Sequence, residues 1–423
     1  MKLLVIGSGG REHAIIRKLL ESPKVQKIYC APGNGGIACD AECVPISPMD
    51  LDGVVRFAKE QEIDLVFVAP DDPLAAGMVD ALEAAGIAAF GPCAAAAEIE
   101  SSKVFSKNLM KQYGIPTADY AVFSDPADAL RYIREQGRYP TVIKADGLAL
   151  GKGVLICTDE KQATAALHSI MEDKVFGNAG SRVVVEEFLT GPEVSVLAFT
   201  DGIVMKPMVA SKDHKRALDH DEGLNTGGMG TISPNPYYTD AIAKECMETI
   251  FLPTMHAMNA EGRTFRGCLY FGLMLTPDGP KVIEYNARFG DPETQVVLPR
   301  LKTDLVEILL AIIENRLSDL EIEWKDGAAA CVVMASGGYP GSYRKGIPIT
   351  GLSADGQLSD SDAVVYHAGT AQKDGAFQTA GGRVLGVTAC GATLDEALQK
   401  AYDGVSKIHF DGAHYRHDIG KTT

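Results

Sequence analysis

A chain of 423 residues with ordinary apolar and charged content, 46% and 23%, is long enough for about three domains whose cores need no disulfide staples. Its formal net charge of -16 argues against a general nucleic-acid or anionic-membrane binder, because such proteins need a basic face to displace counterions. Small anionic ligands stay possible wherever positive groups converge. The nine cysteines form no CxxC pair and no His/Cys metal spacing, and the nearest two, Cys39 and Cys43, read as free thiols of a reducing compartment. After Met1 and Lys2 only four apolar residues precede the first glycine, short of a signal h-region, and no run approaches a membrane span. A cytoplasmic chain without nucleic-acid or membrane partners is expected, taken as a monomer.

Residues 2–6 read as a buried parallel strand, followed by Gly7-Ser8-Gly9-Gly10 and an amphipathic helix over 12–20. Strand, glycine loop and helix N-terminus make an anion cradle of backbone N–H groups. Two features oppose a dinucleotide site: Glu12 stands where a third glycine belongs, and the second strand, 27–30, ends without an acid for a ribose hydroxyl. A phosphate site fits better, with a tight turn that binds nothing as the alternative. A strand over 63–69, a helix over 73–85 and a strand over 87–90 complete an open α/β layer, whose ligands sit beyond the strand C-termini. The loop Pro70-Asp71-Asp72-Pro73 lies at such an end, its acids suited to ribose hydroxyls or to capping a helix.

A helix is expected from residue 100 to 112, then a small separate lobe over 120–190. There the strand 139–144 ends in Lys144, the loop 145–153 is rich in glycine and carries Lys152, and the strand 154–157 returns. The loop therefore joins a hairpin and opens no helix, which excludes a P-loop. It reads as a lid over phosphates above Lys144, or as a plain surface hairpin. The strand 181–189 runs through a linker to a strand over 194–200, a place for a purine with Glu193 reaching the ribose, or simply a hinge. Two polar loops follow, 211–216 and 225–230; the second exposes backbone N–H groups, and the Asp213-His214 pair reads as a solvated turn. A hairpin is expected over 268–276 and 281–286, a helix over 303–315, strands over 329–335, 363–367 and 383–389, and a helix over 394–408.

The strand 281–286 is the chemically informative one. Side chains alternate along a strand, so Glu284, Asn286 and Arg288 share a face while Val282, Ile283 and Tyr285 are left to pack. A carboxylate beside an amide oxygen is a hard donor pair of the kind Mg²⁺ takes, completed by water and phosphates. Arg288 offers a planar fork for a carboxylate or phosphate. The bland alternative is a solvated strand face, followed by Asp291 as N-cap, Pro292 at the first helical position and Glu293 in the first turn.

In this order, a strand lysine, a glycine-lysine hairpin, an interlobe linker and a Glu-x-Asn strand make a nucleotide clamp. On Gly7 to Ala14, Ile143 to Leu148, Gly151 to Val154, Asp213 to Arg216, Asn225 to Gly230 and Asn286 to Glu293, the chain resembles the ATP-grasp superfamily and, within it, the phosphoribosylamine–glycine ligase family. The resemblance covers nearly the whole chain. It implies an α/β ATP-grasp fold, two α+β lobes clamping ATP, with an N-terminal open parallel α/β domain (1–100), a core lobe (101–120 and 191–327), a lid lobe (121–190) and a small C-terminal mixed α/β domain (328–423). The implied reaction joins glycine to 5-phosphoribosylamine through glycyl phosphate, giving the glycinamide ribonucleotide, ADP and phosphate in purine biosynthesis, with ATP and Mg²⁺ or Mn²⁺. Carried over residue by residue, it assigns Glu284 and Asn286 to the metal, and Lys103, Lys144, Gly151, Lys152, Gly153, Glu186, Leu189 and Glu193 to the nucleotide, with mainly main-chain contacts from Glu186 and Leu189. Gly9 and Gly10 fall near the sugar phosphate, and Arg288, Lys144 and Asp213 at the reacting groups. Two departures stand out: Asp71 replaces the family's usual Glu, and the strand before Glu284 carries no carboxylate.

Overall fold

The computed structural model describes residues 1–148 and 153–421. Gly151 and Lys152 lie outside them. Leu3 to Ile6 are fully buried, as a two-sided parallel strand requires. The N-terminal sheet is parallel and has the order Glu42–Cys43, Lys27–Pro32, Lys2–Gly7, Leu65–Val68, Ala89–Phe90. Its strand order reverses between Lys2–Gly7 and Leu65–Val68, so the glycine loop and Asp71 both stand at the crevice where open α/β sheets take ligands. The expected helix over 73–85 is instead two, Asp71–Ala75 and Met78–Ala84. Gly77 adopts a left-handed φ of 87° between them, a conformation that ends one helix and restarts the chain in a new direction. Similarly, the helix expected from residue 100 starts at Lys103, because Ser102 is extended and its side chain caps the Phe105 N–H; a separate helix, Ala94–Ser101, precedes it.

The lid lobe is an antiparallel sheet, Tyr120–Phe123, Val183–Glu187, Thr141–Ala145 and Val154–Cys157 in spatial order, and the last two form the anticipated hairpin. Helices Pro126–Gln136 and Glu160–Leu167 cover one face through Ala129, Ile133, Ala163 and Leu167. The core lobe holds Met205–Pro207, Glu193–Thr200, Gly267–Thr276 and Gly279–Asn286, again antiparallel.

Backbone pairing bridges the boundary drawn at 327/328. Strands Lys212–Asp213 and Gly230–Ser233, from the middle of the chain, join Ala328–Ala335, Arg383–Gly391 and Val364–His367 in one five-stranded sheet. An apolar cluster likewise runs from Leu3 and Val5 through Leu197 and Phe289 to Ala329 and Val333, so the N-terminal sheet, the core lobe and the C-terminal unit share a core. A hairpin over Thr370–Lys373 and Ala376–Thr379 went unforeseen. Among the described residues no helix is long and apolar enough to cross a membrane.

A candidate active site at the junction of the lobes

One cavity of about 540 Å³ opens between the lid lobe, the core lobe and the N- and C-terminal units. Its wall includes Lys103, Lys144, Gly153, Glu186, Leu189, Glu193, Asp213, Glu284, Asn286 and Arg288, which gathers most of the sequence-predicted residues. Gly9 and Gly10 are not on that wall. The Gly9 N–H is taken by the Glu12 carboxylate at 2.6 Å, so the residue that breaks the glycine motif fills part of the cradle that the glycines would offer. Arg11, from the same loop, lines the cavity in their place and donates to the Phe289 carbonyl at 3.2 Å.

Lys144 leaves the lid strand pointing into the core. Its Nζ lies 3.0 Å from Glu186 Oε2 and 3.0 Å from the Ile283 carbonyl. A second lysine, Lys107, shares the same Glu186 oxygen at 3.0 Å and donates to Thr117 Oγ1, which in turn donates to the Val282 carbonyl. All three charged groups are buried, and burial pulls Lys107 down to about 8 although Glu186 opposes the change. Glu186 Oε1 is buried without a partner, so this side chain has acceptor capacity left beside the cavity.

The strand Gly279–Asn286 departs from simple alternation. Gly272 pairs with Glu284 while Leu273 pairs with Val282, so Ile283 is an extra residue in a bulge. Ile283, expected to pack in the core, therefore lines the cavity, and its carbonyl is free to receive Lys144. Beyond the bulge Tyr285 is buried and donates to or accepts from Thr254 Oγ1 at 2.9 Å, which fixes the strand carrying Glu284 and Asn286. Burial alone would raise the Glu284 carboxyl, but Lys103, Lys215, Lys144 and Arg288 together hold it at about 2. It stays an anion at any working pH.

Arg288 donates to the Phe289 carbonyl at 3.2 Å and lies 3.5 Å from Asn286 Oδ1, and two carboxylates outside its strand hold it as well. Its Nη2 is 3.0 Å from Glu100 Oε1 and 3.7 Å from Asp71 Oδ2, while Nε is buried with no partner. For Asp71 burial works against the charge, yet Arg288 and Arg11 outweigh it and keep the carboxyl below the usual range. The opposite holds at Asp213: burial, reinforced by Glu293, pushes its carboxyl well above the carboxylate range, and Oδ1 is buried without a partner. His214 is no solvated turn residue. It is buried, its Nδ1 donates to the Gly230 carbonyl at 3.1 Å, and its Nε2 accepts from the Gly420 N–H at 3.1 Å, pinning the C-terminal tail. Nor does Asp291 cap a helix. The next helix is only Thr294–Val297, and the Asp291 carboxylate is engaged instead by Gln295 Nε2 at 2.7 Å and by Arg383 Nη2 at 3.2 Å.

Sequence reasoning missed Lys107, Glu100, Lys215, Glu293, Tyr339 and Arg383. Lys107 had a local signal, one helical turn after Lys103 on the same face, and Lys215 and Glu293 lie inside the motifs that carried the resemblance. Glu100, Tyr339 and Arg383 reach the site through pairings remote in sequence.

Models of three parts of one family match most of the chain: the phosphoribosylglycinamide synthetase N domain over residues 1–100, its ATP-grasp (A) domain over 101–294 and its C domain over 329–422. The phosphoribosylamine–glycine ligase of Caldanaerobacter subterraneus is 49% identical over 99% of both chains. That of Halalkalibacterium halodurans is 50% identical, over 99% of this chain and 96% of the relative. Among solved structures, the Thermotoga maritima phosphoribosylamine–glycine ligase superposes with a TM-score of 0.86 at 33% identity, covering 99% of this chain and 100% of the other. The biotin carboxylase domain of Hydrogenobacter thermophilus 2-oxoglutarate carboxylase, solved with MgADP, reaches 0.74 at 16% identity, over 98% and 91%, a likeness of fold alone. With a fold, a lysine-lined cavity and full-length matches that agree, the chain belongs to the phosphoribosylglycinamide synthetase family of ATP-grasp ligases.

Proposed function

We infer that this chain ligates glycine to 5-phosphoribosylamine with ATP, the activity after which its relatives are named. The observation that carries the reading is the convergence of Lys144, Glu284, Asn286 and Arg288 on one cavity large enough for a nucleotide and two small substrates. A carboxylate is a poor electrophile and must be activated before an amine attacks it. A glycine carboxylate oxygen bonds to the γ-phosphorus while the bond to the bridging oxygen breaks, leaving ADP and glycyl phosphate. The amine of phosphoribosylamine then bonds to the acyl carbon, the acyl C–O bond breaks, and phosphate leaves with that oxygen and the amine proton.

Phosphoryl transfer is mainly positioning and charge neutralisation. Lys144 and Lys103 supply positive charge to the phosphates, and the apolar wall of Val142, Ile156, Leu189 and Met274 suits a purine, with Glu193 within reach of the ribose. The unpartnered Glu186 Oε1 makes a side-chain contact to the base as suitable as the main-chain one expected. For Gly151 and Lys152, outside the described residues, a role at the phosphates is proposed on the resemblance alone. Arg288, with a free Nε, is suited to the glycine carboxylate, and Asp213, whose buried Oδ1 has no partner, lies on the same cavity wall beside the reacting groups.

The residues present fit a hard divalent cation. No group of three or more His, Cys, Asp or Glu among the described residues could cage a metal, so Glu284 and Asn286 would hold an ion that takes its remaining ligands from water and phosphates, as Mg²⁺ or Mn²⁺ does. When bound, the ion offsets charge on the phosphates. The set of groups is complete within one chain, which supports a monomer as the working unit, and nine free cysteines support a reducing, cytoplasmic setting. The proposed divisions are those of the sequence reading, with the shared sheet joining the core lobe to the C-terminal unit. The test is ADP release with ATP and Mg²⁺: the reading requires dependence on both glycine and phosphoribosylamine, and full release without either would overturn it.

A further inference from the structure

The C-terminal unit reaches the cavity through Tyr339, Pro340 and Arg383. Arg383 opens the strand Arg383–Gly391, and its guanidinium ties together segments remote from one another in sequence. Nη1 donates to the carbonyls of Gly227 at 2.6 Å and of Asp291 at 2.8 Å, with that of Gly228 at 3.4 Å. Nη2 faces Asp291 Oδ2 at 3.2 Å. Tyr339 adds to the same clasp, its hydroxyl accepting from the Gly227 N–H at 3.1 Å.

The clasped loop is closely packed at both glycines. A Cβ on Gly227 would stand 2.9 Å from Arg383 Cζ, and one on Gly228, whose φ is 116°, would stand 2.6 Å from Asp213 Oδ1. On its far side Asp291 meets the N-terminal loop, since a Cβ on Gly9 would lie 3.4 Å from Oδ2. Asp291 and the 227–228 backbone thus form a seam between three units, and Arg383 is the side chain that closes it. The nucleotide-facing wall comes from the lid lobe and the metal pair from the strand Gly279–Asn286. What remains for the acceptor is the wall supplied by the N- and C-terminal units, where Arg11 and Arg383 flank Asp71 and Asp291.

We propose that Arg383 is a positioning residue for the acceptor amine: by fixing the Gly227–Gly228 backbone and Asp291 it shapes the subsite for the sugar phosphate. This rests on the ligase reading above. A planar five-donor fork can satisfy several carbonyl and carboxylate oxygens at once, whereas a lysine ammonium at the same place cannot match that geometry.

The experiment compares wild type with R383M, R383K and Y339F in the ADP-release assay, varying phosphoribosylamine made in situ from ribose 5-phosphate and ammonia. ADP binding is followed in parallel by thermal shift. R383M is expected to raise the acceptor KM roughly tenfold or more and to lower kcat, while the ATP KM and the ADP affinity stay within about twofold. R383K should recover only part of the loss, and Y339F should move the acceptor KM in the same direction by a smaller factor. Parallel loss of ATP and acceptor binding would mean a merely structural role and overturn the proposal, as would wild-type acceptor kinetics in R383M. If R383M does not fold, Y339F decides on the same criteria. If the wild type itself shows no dependence on phosphoribosylamine, the ligase reading fails and this inference with it; a normal wild type beside a normal R383M sinks this inference alone.

Discussion

Lys144 donates to the main-chain carbonyl of Ile283 at 3.0 Å, one residue before Glu284. A lid-lobe strand and the proposed metal-binding strand therefore touch through a lysine that also holds Glu186, and the contact exists because the bulge turns Ile283 towards the cavity. Lys144→Met removes the charge and keeps most of the length. We expect kcat/KM for ATP to fall roughly a hundredfold with the glycine KM little changed. Steady-state kinetics at varied ATP checks this, and equal losses for ATP and glycine would contradict it.

Glu284→Gln keeps the shape and deletes the one anionic donor of the metal pair. Turnover should drop by two orders of magnitude or about that, and the remaining activity should need far more Mg²⁺ or Mn²⁺. Because the carboxylate offsets Lys103, Lys215, Lys144 and Arg288, the neutral variant leaves these charges less compensated and is expected to unfold more easily without metal. A titration of rate against metal concentration reads the effect, and an unchanged metal requirement would remove Glu284 from the site.

Lys107 has no direct place in the chemistry, but it shares Glu186 Oε2 with Lys144. Lys107→Met leaves Glu186 with one buried counterion where it had two, and breaks the link through Thr117 to the Val282 carbonyl. A loss of about 2 kcal/mol is expected, as for deleting a hydrogen bond to a charged group, because Lys144 still compensates Glu186. Denaturant unfolding measures it; Lys107→Ala should cost at least as much.

Acid stability is set in part by two buried histidines. His214 and His367 are both held at about 4, chiefly by burial, against a usual 6.5. Each is neutral in the fold, with one ring nitrogen donating and the other accepting. The unfolded chain takes up their protons first, so the stability they contribute is complete above about pH 6.5 and is lost as pH falls towards 4, up to roughly 3 kcal/mol each. His214→Gln should flatten the acid limb of a stability-versus-pH curve. An unchanged slope between pH 6.5 and 4 would contradict the assignment.

Much of this was legible in the sequence, for identifiable reasons. Period-two alternation put Glu284 and Asn286 on one face, and the hairpin around 145–153 was marked by strands on both sides, so Lys144 could be set beneath it. The parallel N-terminal layer followed from apolar runs such as 2–6 and 63–69. What escaped depends on contacts between distant segments. The bulge at Ile283 needs its partner strand to be seen, and Arg383, 92 residues beyond Asp291, declares itself only when the sheet brings the C-terminal strands against loop 225–230. Glu12 is an intermediate case: its presence spoiled the glycine motif visibly, but that its own carboxylate takes the Gly9 N–H required the structure. Gly77 was visible too, yet a single glycine inside a helical pattern does not announce whether it breaks the helix.

In the proposed reaction glycine's carboxylate becomes a mixed anhydride with phosphate before nitrogen attacks. Glycine labelled with ¹⁸O in its carboxylate, turned over with ATP and phosphoribosylamine, tests this in the released phosphate by mass spectrometry. One labelled oxygen is expected in each phosphate released. Product formed alongside unlabelled phosphate would contradict it.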